Sequence, residues 1–108
     1  MAPTVSTLAG DGTAGFADGA GASARFKYPC SVAIDVAGNV IVAELGNDRI
    51  RKITPAGVVS TLAGDGTGGF ADGAAASARF KFPSGVAVDG AGNIIVAELG
   101  NDRIRKIT

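Results

Sequence analysis

The chain is a tandem repeat: residues 59–108 repeat residues 5–54 at an offset of 54. The two copies agree at 42 of 50 positions, and several of the eight differences are mild, such as Val40 against Ile94. A period of this length is typical of arrays of small sheets and of solenoids, in which no unit can bury its apolar faces alone. Fold and function must therefore both depend on how the units assemble.

The composition limits the classes of function. With 46% apolar residues in 108, the chain is expected to fold. Ten basic and ten acidic residues cancel, so nucleic acid and membrane are not expected as partners. No apolar run approaches the roughly 20 residues that cross a bilayer, and residues 1–20 lack the pattern of a signal peptide. We expect a soluble protein, cytoplasmic if it is natural and expressed as written; the sequence does not indicate a compartment.

Residue types that carry catalysis and metal binding are scarce. Cys30 is the single cysteine and its counterpart is Ser84, so we expect a small buried thiol and no disulfide or thiolate cluster. The absence of histidine removes the commonest general base and the usual zinc ligand. We therefore expect no enzyme, no cofactor, and no catalytic, cofactor-binding or metal-binding residues.

Short apolar segments rich in β-branched residues predict the strands. In the first copy they are Ser31–Asp35, Val40–Leu45, Arg49–Thr54 and Val58–Leu62, and in the second Ser84–Asp89, Ile94–Leu99 and Arg103–Thr108. Turns rich in Gly, Asn, Asp and Pro separate them. Each repeat is thus predicted to be a four-stranded antiparallel meander, and the second copy lacks its fourth strand.

A connector rich in Gly, Ala, Asp and Ser precedes each meander; in the first copy it runs from Gly10 to Pro29. Its glycines would interrupt a long helix, so we expect one helical turn around Ala20–Arg25, with Asp18 as its N-cap. Three aromatic side chains are expected to hold the connector on apolar surface: Phe16, Phe26 and Tyr28.

The missing strand has a counterpart at the other end of the chain. Four-stranded sheets around a channel form a β-propeller, which commonly completes its last sheet with a strand from the opposite terminus. Two sheets cannot close a ring alone, so the units 5–58 and 59–108 of the 1–108 domain are predicted to close it with other chains. The strand Val5, Ser6, Thr7, Leu8 of each chain would pair with Arg103, Ile104, Arg105, Lys106, Ile107, Thr108 of the next.

Several motifs carry a resemblance to a known repeat. They are V-S-T-L-A-G-D-G-T-A-G-F-A-D-G at Val5–Gly19, then A-R-F-K-Y-P, V-A-I-D-V-A-G-N-V-I-V-A-E, and G-N-D-R-I-R-K-I at Gly46–Ile53, which returns at Gly100–Ile107. In these the chain resembles the NHL repeat of the long-connector type over nearly its whole length. Asn47-Asp48-Arg49 and Asn101-Asp102-Arg103 stand where the family has the Asn-His-Leu that names it.

The resemblance implies an all-β fold of propeller blades, with the first strand of each blade lining the channel. The family usually closes at six blades, which implies three chains here, with four chains and eight blades as the alternative. NHL propellers commonly recognise proteins or RNA, and a minority house enzymes or metals. Two nearly identical blades resemble an isolated propeller fragment, a duplicated unit or an engineered building block.

The glycines at Gly10–Gly15 match the dinucleotide-binding spacing G-x-G-x-x-G, with Asp35 twenty residues beyond the last. Such a site needs a helix directly after the third glycine, whereas Phe16–Pro29 is broken by Gly19 and Gly21. We therefore favour turns with positive φ, and a dinucleotide-binding enzyme is a distant alternative.

Acidic residues recur at matched positions of the two copies. Asp11, Asp18, Asp65 and Asp72 do not have a calcium-loop spacing and are expected to cap local backbone N–H groups. Asp35 and Asp89 are expected to accept hydrogen bonds from the turn that follows each of them.

The predicted sheets also contain charged residues: Glu44, Arg49, Arg51 and Lys52, and again Glu98, Arg103, Arg105 and Lys106. Because buried charges must be paired, we expect ion pairs or snorkelling at blade edges, with a ring of charge on a binding face as the alternative. The sequence thus predicts a self-assembling scaffold that has itself as partner. The alternative is a module whose ring binds protein, peptide or RNA on one face.

Overall fold

The repeated segments form two antiparallel sheets, one for each copy, in a computed structural model that describes residues 2–108. The strands are β1 Gly19–Ala20, β2 Pro29–Ile34, β3 Val40–Glu44, β4 Arg49–Ile53, β5 Val58–Ala63, β6 Pro83–Val88, β7 Ile94–Glu98 and β8 Arg103–Ile107. Two 3₁₀ turns complete the elements, at Gly21–Ser23 and Leu45–Asn47. The predicted all-β architecture is confirmed; Met1 of the predicted span 1–108 lies outside the described residues.

The first sheet has the order β1-β5-β4-β3-β2 and the second β6-β7-β8. The meander β2 to β5, here called the first blade, has the four strands predicted for it. A fifth strand joins it because Gly19 and Ala20 of the connector pair with Val59 and Val58. The second blade, β6 to β8, has three strands, and no segment of residues 2–108 pairs with the outer edge of β8. The three strands of the second blade agree with the predicted lack of a fourth strand in the second copy, whereas the first sheet has five strands rather than the predicted four.

The hairpin turns are held by the aspartates that end the first strand of each blade. Asp35 accepts hydrogen bonds from the backbone N–H of Asn39 at 2.8 Å and from its side-chain amide at 2.9 Å. Asp89 does the same with Asn93, at 2.8 and 3.0 Å. These hydrogen bonds from the Asn side chains hold the pKa of both carboxyls below its ordinary value. The predicted role of the two aspartates is confirmed.

The two blades pack face to face through a shared apolar core. Ile41, Ala43 and Ile50 lie on one face of the first blade and are fully buried. They belong to one cluster with residues of the second copy: Ala78, Phe80, Ile94 and Val96. The connector of the second copy thus lies between the two blades, and each blade depends on the other for burial.

The opposite face of the first blade is covered by its own connector. Val42, Ile53 and Val59 form a second cluster with Ala24, against which Phe26 packs. Each connector therefore covers the same face of its own blade.

The connector departs from the prediction in its turn and its anchors. The helical segment is the 3₁₀ turn Gly21–Ser23, its N-cap position is Ala20, and no side chain caps it. Asp18 is not the cap because its carboxylate binds Arg51 of β4 instead. Of the predicted anchors, Phe26 packs on the core, whereas Phe16 stacks on Arg49 and Tyr28 is exposed.

The segment Val5–Leu8 forms no strand within the single chain, and Val5 is 100% exposed. A strand needs a partner edge, and the edge predicted for this segment belongs to another chain. Its pairing in trans therefore stays a prediction. In residues 2–108 no helix is long and apolar enough to cross a membrane.

Candidate functional site

A buried ion cluster lies on the connector-covered face of the first blade, around Arg51 of β4. The Nη1 atom of Arg51 donates to both oxygens of Glu44, at 2.9 and 3.1 Å, and neither side chain is exposed. Its Nη2 and Nε donate to Oδ1 of Asp18, at 2.8 and 3.1 Å. The carbonyl oxygens of Ala17 and Arg25 accept the remaining hydrogen bonds, at 2.8 and 3.0 Å. The charge is therefore paired, as expected, and ties the connector to the sheet.

Aromatic rings complete the surroundings of the guanidinium. The Cζ atom of Arg51 lies 4.6 Å from the ring centroid of Phe16 and 4.7 Å from that of Phe26. Arg49 stacks on Phe16 at 3.8 Å. Cation–π contacts gain strength where water is excluded, which suits a cation with no exposed surface.

The second blade repeats the cluster. Arg105 donates from Nη1 to Glu98 at 2.6 Å and from Nε to Oδ1 of Asp72 at 3.0 Å. Its Cζ lies 4.7 Å from Phe70 and 4.8 Å from Phe80. Because both copies use the cluster to attach a connector, we assign it a structural role.

One hydrogen bond of the first cluster is missing from the second. The hydroxyl of Thr61, on β5, donates to Oδ2 of Asp18 at 2.8 Å. No hydroxyl of residues 2–108 does so for Asp72, whose side chain is 75% exposed against 36% for Asp18. The difference arises because the second blade lacks the strand that corresponds to β5.

An apolar face is also left uncovered on the second blade. Ile50 of the first blade is 0% exposed in the core between the blades, whereas its counterpart Ile104 is 71% exposed. Ala97, the counterpart of the fully buried Ala43, is exposed too. The uncovered face and the unpaired edge of β8 lie on the same blade.

A groove of about 620 Å³ lies beside β8 and is called the acceptor groove below. Its lining includes Asp72, Ala78, Phe80 and Arg103–Thr108. In the first blade β5 fills the equivalent space, where Val59 packs on Ala24 and Ile53, the counterparts of Ala78 and Ile107. The acceptor groove therefore has the lining of a strand site.

The first blade also has an uncovered apolar face, on the side away from the second blade. Val32 and Ile34 of β2 are 63% and 60% exposed. Their counterparts Val86 and Val88 are packed against the core that the two blades share. The face of the second blade that carries Val86 and Val88 packs against the first blade. The equivalent face of the first blade, which carries Val32 and Ile34, has no neighbouring blade within residues 2–108.

Residues 80–107 match the NHL repeat family. The chain contains an NHL repeat. It is 35% identical over 91 residues to Protein SUPPRESSOR OF QUENCHING 1, chloroplastic, of Arabidopsis thaliana. The match covers 83% of this chain and 9% of that protein, so the chain spans a small part of this relative's length.

Solved structures also superpose on most of the chain. An auxiliary nutrient binding protein from Bacteroides thetaiotaomicron superposes with a TM-score of 0.84 at 31% identity, over 94% of this chain and 28% of that one. A protein of unknown function from the same organism gives 0.85 at 29% identity, over 91% and 26%. The predicted NHL resemblance is confirmed, and the matches support a β-propeller module of the interaction or scaffold type.

The residues predicted for ring closure do not meet within one NHL chain. Arg103–Thr108 contain β8, whose outer edge has no partner strand within residues 2–108, and Arg105 also belongs to the buried cluster. Leu8 lies beside Gly21 of the first connector: its carbonyl oxygen would be 2.9 Å from a Cβ at that glycine. The two halves of the predicted closure thus lie on different blades.

The glycine motif of the NHL connector makes sharp turns. Gly10 and Gly12 have φ of 109° and 89°, in agreement with the interpretation favoured from the sequence. Asp11 accepts the backbone N–H of Thr13 at 2.8 Å and Nε of Arg25 at 2.8 Å. The Arg25 guanidinium lowers the pKa of Asp11 below its ordinary value. Asp65, its counterpart, repeats this arrangement.

Beyond those for the connector's turn and anchors, three predictions about single residues are wrong. Asp18 and Asp72 bind arginines of the sheet rather than local backbone N–H groups. Cys30 is exposed rather than buried, because it lies in β2, on the side of the first blade that no other blade covers among residues 2–108. Among residues 2–108, no three His, Cys, Asp or Glu side chains are grouped to hold a metal ion.

Proposed function

We propose that this NHL chain is a self-assembling β-propeller building block with a scaffold role and no catalysis. Chains join head to tail, and Val5–Leu8 of each chain pairs with Arg103–Thr108 of the next. Three chains then close a ring of six blades. Four chains and eight blades are the competing closure.

The observation that carries the proposal is the contrast between Ile50 and Ile104. The same face of the repeat is fully buried in the first blade and uncovered in the second. Because the repeats are nearly identical, the contact that buries Ile50 within a chain can form again between chains. A head-to-tail contact that repeats one rotation closes into a ring when that rotation divides a full turn.

The repeat also supplies the register of the exchanged strand. Within the chain, Arg51 of β4 pairs with Thr61 of β5, and Ile53 pairs with Val59. An offset of 54 residues places Arg105 opposite Thr7 and Ile107 opposite Val5 of the next chain. Residues 5–13 have the same sequence as residues 59–67, so the exchanged strand brings the same side chains.

Polar contacts between the blades support the same joint. Oδ1 of Asp48 accepts the backbone N–H of Phe82 at 2.9 Å across the intrachain contact. Its counterpart Asp102 has the same left-handed conformation, with φ of 52°, and would accept the N–H of Tyr28 from the next chain. This contact would place the exposed Tyr28 in the interface.

Mass in solution tests the proposal. We expect native mass spectrometry and sedimentation at micromolar concentration to give a discrete species of three chains, with little free monomer. A well-folded monomer at that concentration would contradict the ring, and a species of four chains would select eight blades.

The proposed lack of catalysis rests on the roles of the charged residues. The buried acids and bases, Glu44, Arg51, Glu98 and Arg105, have their hydrogen-bonding capacity used within the blades. We expect no metal or dinucleotide to be retained in stoichiometric amount after dialysis. Retention of either, measured by elemental analysis or absorbance, would count against a purely structural role.

A further inference from the structure

We propose that the acceptor groove is a selective peptide-binding site, which takes a free extended peptide with valine and threonine two positions apart, and that Asp72 recognises the threonine hydroxyl. The inference rests on the proposed function, because the occupant proposed for the ring, Val5–Leu8, carries this pattern. Beyond ring closure, a separate peptide would bind in the acceptor groove, and Asp72 would select it.

The backbone of β8 supplies the part of the site that does not depend on sequence. Its outer edge has no partner strand among residues 2–108. An extended peptide added to such an edge gains main-chain hydrogen bonds, while alternate side chains enter the pockets below. Strand addition therefore gives affinity here, and the pockets decide which sequence is accepted.

The first pocket is apolar and suits a β-branched residue. In the first blade the equivalent place is filled by Val59, which is buried against Ala24 and Ile53. The corresponding residues Ala78 and Ile107 line the acceptor groove. A valine at this position of the peptide would bury its side chain, whereas an aspartate would lose its hydration without gaining a cation.

The second position is polar, and the first blade gives its geometry. Thr61 donates its hydroxyl to Oδ2 of Asp18 at 2.8 Å, while Arg51 holds the other oxygen, Oδ1. In the second blade Arg105 holds Oδ1 of Asp72 in the same way, at 3.0 Å from Nε. The carboxylate is thus already oriented, and its second oxygen is open to a hydroxyl from outside the chain.

This arrangement selects threonine against its isostere valine. Valine has the same shape but no hydroxyl, so it would leave Oδ2 of Asp72 facing an apolar group in the filled groove. A site built to hydrogen-bond a hydroxyl rejects the analogue that lacks it more strongly than an apolar pocket rejects a missing methyl. The methyl group of threonine also favours extended backbone.

The test uses full-length chain with Val5→Asp, which keeps its own segment out of the groove. Val5 is fully exposed, so this change should leave the chain folded, as far-ultraviolet circular dichroism can verify. A fluorescent peptide with the sequence of residues 4–12 is titrated with this variant, and binding is measured by anisotropy. The matched control is the same peptide with Thr7→Val.

We expect saturable binding of the first peptide and binding of the control that is weaker by about tenfold or more, as for the loss of a hydrogen bond to a charged acceptor. In chain that also carries Asp72→Ala, which leaves no side-chain group to bind the hydroxyl, the two peptides should differ much less. Equal binding of both peptides, or no binding of either, would overturn the inference. So would a Val5→Asp chain that still forms the wild-type ring, because its groove would then accept an acid at the valine position.

The same titration separates this inference from the proposed function. If the unmodified chain stays monomeric but its groove binds the threonine peptide selectively, ring formation fails and the inference stands. If the unmodified chain forms the ring but the variant's groove takes neither peptide, the ring stands and the inference fails.

Discussion

Replacement of Ile104 by alanine tests the proposed ring, because the structure allows the expected loss of association free energy to be worked out. In the single chain Ile104 is 71% exposed, so Ile104→Ala should change the stability of the chain's own fold little. In a ring its place is that of Ile50, which is fully buried between blades. The substitution should therefore weaken association and spare the fold.

The size of the effect follows from the carbons removed. Ile→Ala deletes three carbons, which at about 0.8 kcal/mol each is about 2.4 kcal/mol for each interface, before any cavity term. A three-chain ring has three such interfaces, so its formation loses about 7 kcal/mol, or about five powers of ten in the equilibrium constant. The concentration of half-assembly varies as the square root of that constant and should rise about 300-fold.

The assay is a dilution series followed by sedimentation velocity or mass photometry. The matched control is Ile50→Ala, which removes the same atoms from the intrachain core and should lower the free energy of unfolding by about 2–5 kcal/mol. An Ile104→Ala chain that dissociates at the wild-type concentration would refute the proposed interface. It would show that the uncovered face of the second blade is not buried by another chain.

Three further predictions concern the strand, the joint and the turns. Deletion of residues 1–8 should leave monomers, aggregates or open arrays in sedimentation; an unchanged discrete ring would show that the exchanged strand is dispensable. Gly85→Ser should lower the concentration of half-assembly, because a hydroxyl there can accept the N–H of Val32 from the next chain, as Ser31 accepts that of Val86 at 3.2 Å; weaker association would contradict this. The folded-state pKa of Asp35 and Asp89 lies below the ordinary 3.8, so their stabilising effect is present above about pH 4 and is lost as the pH falls through the lowered values. Urea unfolding from pH 6 to pH 2 should show this loss, and Asp35→Asn with Asp89→Asn should flatten it; an identical acid slope in the double variant would rule the assignment out.

The strands were predictable because their signals are local. β-Branched pairs such as Ile41 and Val42 favour extended backbone, and turns with Asp35 and Asn39 join adjacent strands. Each of the strands β2 to β8 lies within two residues of its prediction at either end. The two-residue strand Gly19–Ala20 was missed because glycine and alanine carry no strand signal, and it exists only where β5 offers an edge.

The partners of the charged residues were not predictable to the same extent. The sequence requires that Glu44 and Arg51 be paired if buried, and they pair with each other. That Asp18 completes the cluster depends on how the connector folds back across 33 residues, which no local pattern encodes. One sequence signal for a contact between threonine and aspartate was available, because Thr7 and Thr61 are each followed by an aspartate 11 residues later. The spacing does not identify the partner, since Thr61 binds Asp18, which precedes it, rather than Asp72, which follows it.

The differences between the two repeats lie where the proposed joints would differ. Six of the eight fall between residues 28 and 40, in β2, its flanking residues and its hairpin turn, whereas residues 41–54 and 95–108 are identical. The strand that offers its edge, 49–54 or 103–108, is therefore the same in both copies, and so is the strand that pairs with it, 5–8 or 59–62. The first strands of the two blades, β2 and β6, differ. Ser31 accepts the backbone N–H of Val86 through its hydroxyl oxygen, and its counterpart Gly85 has no hydroxyl. The joint between chains therefore lacks one hydrogen bond that the joint within a chain has, worth about 0.5–1.5 kcal/mol net. A ring built from this chain should therefore open between chains before the blades of one chain part, and the acceptor groove is the surface that such an opening exposes.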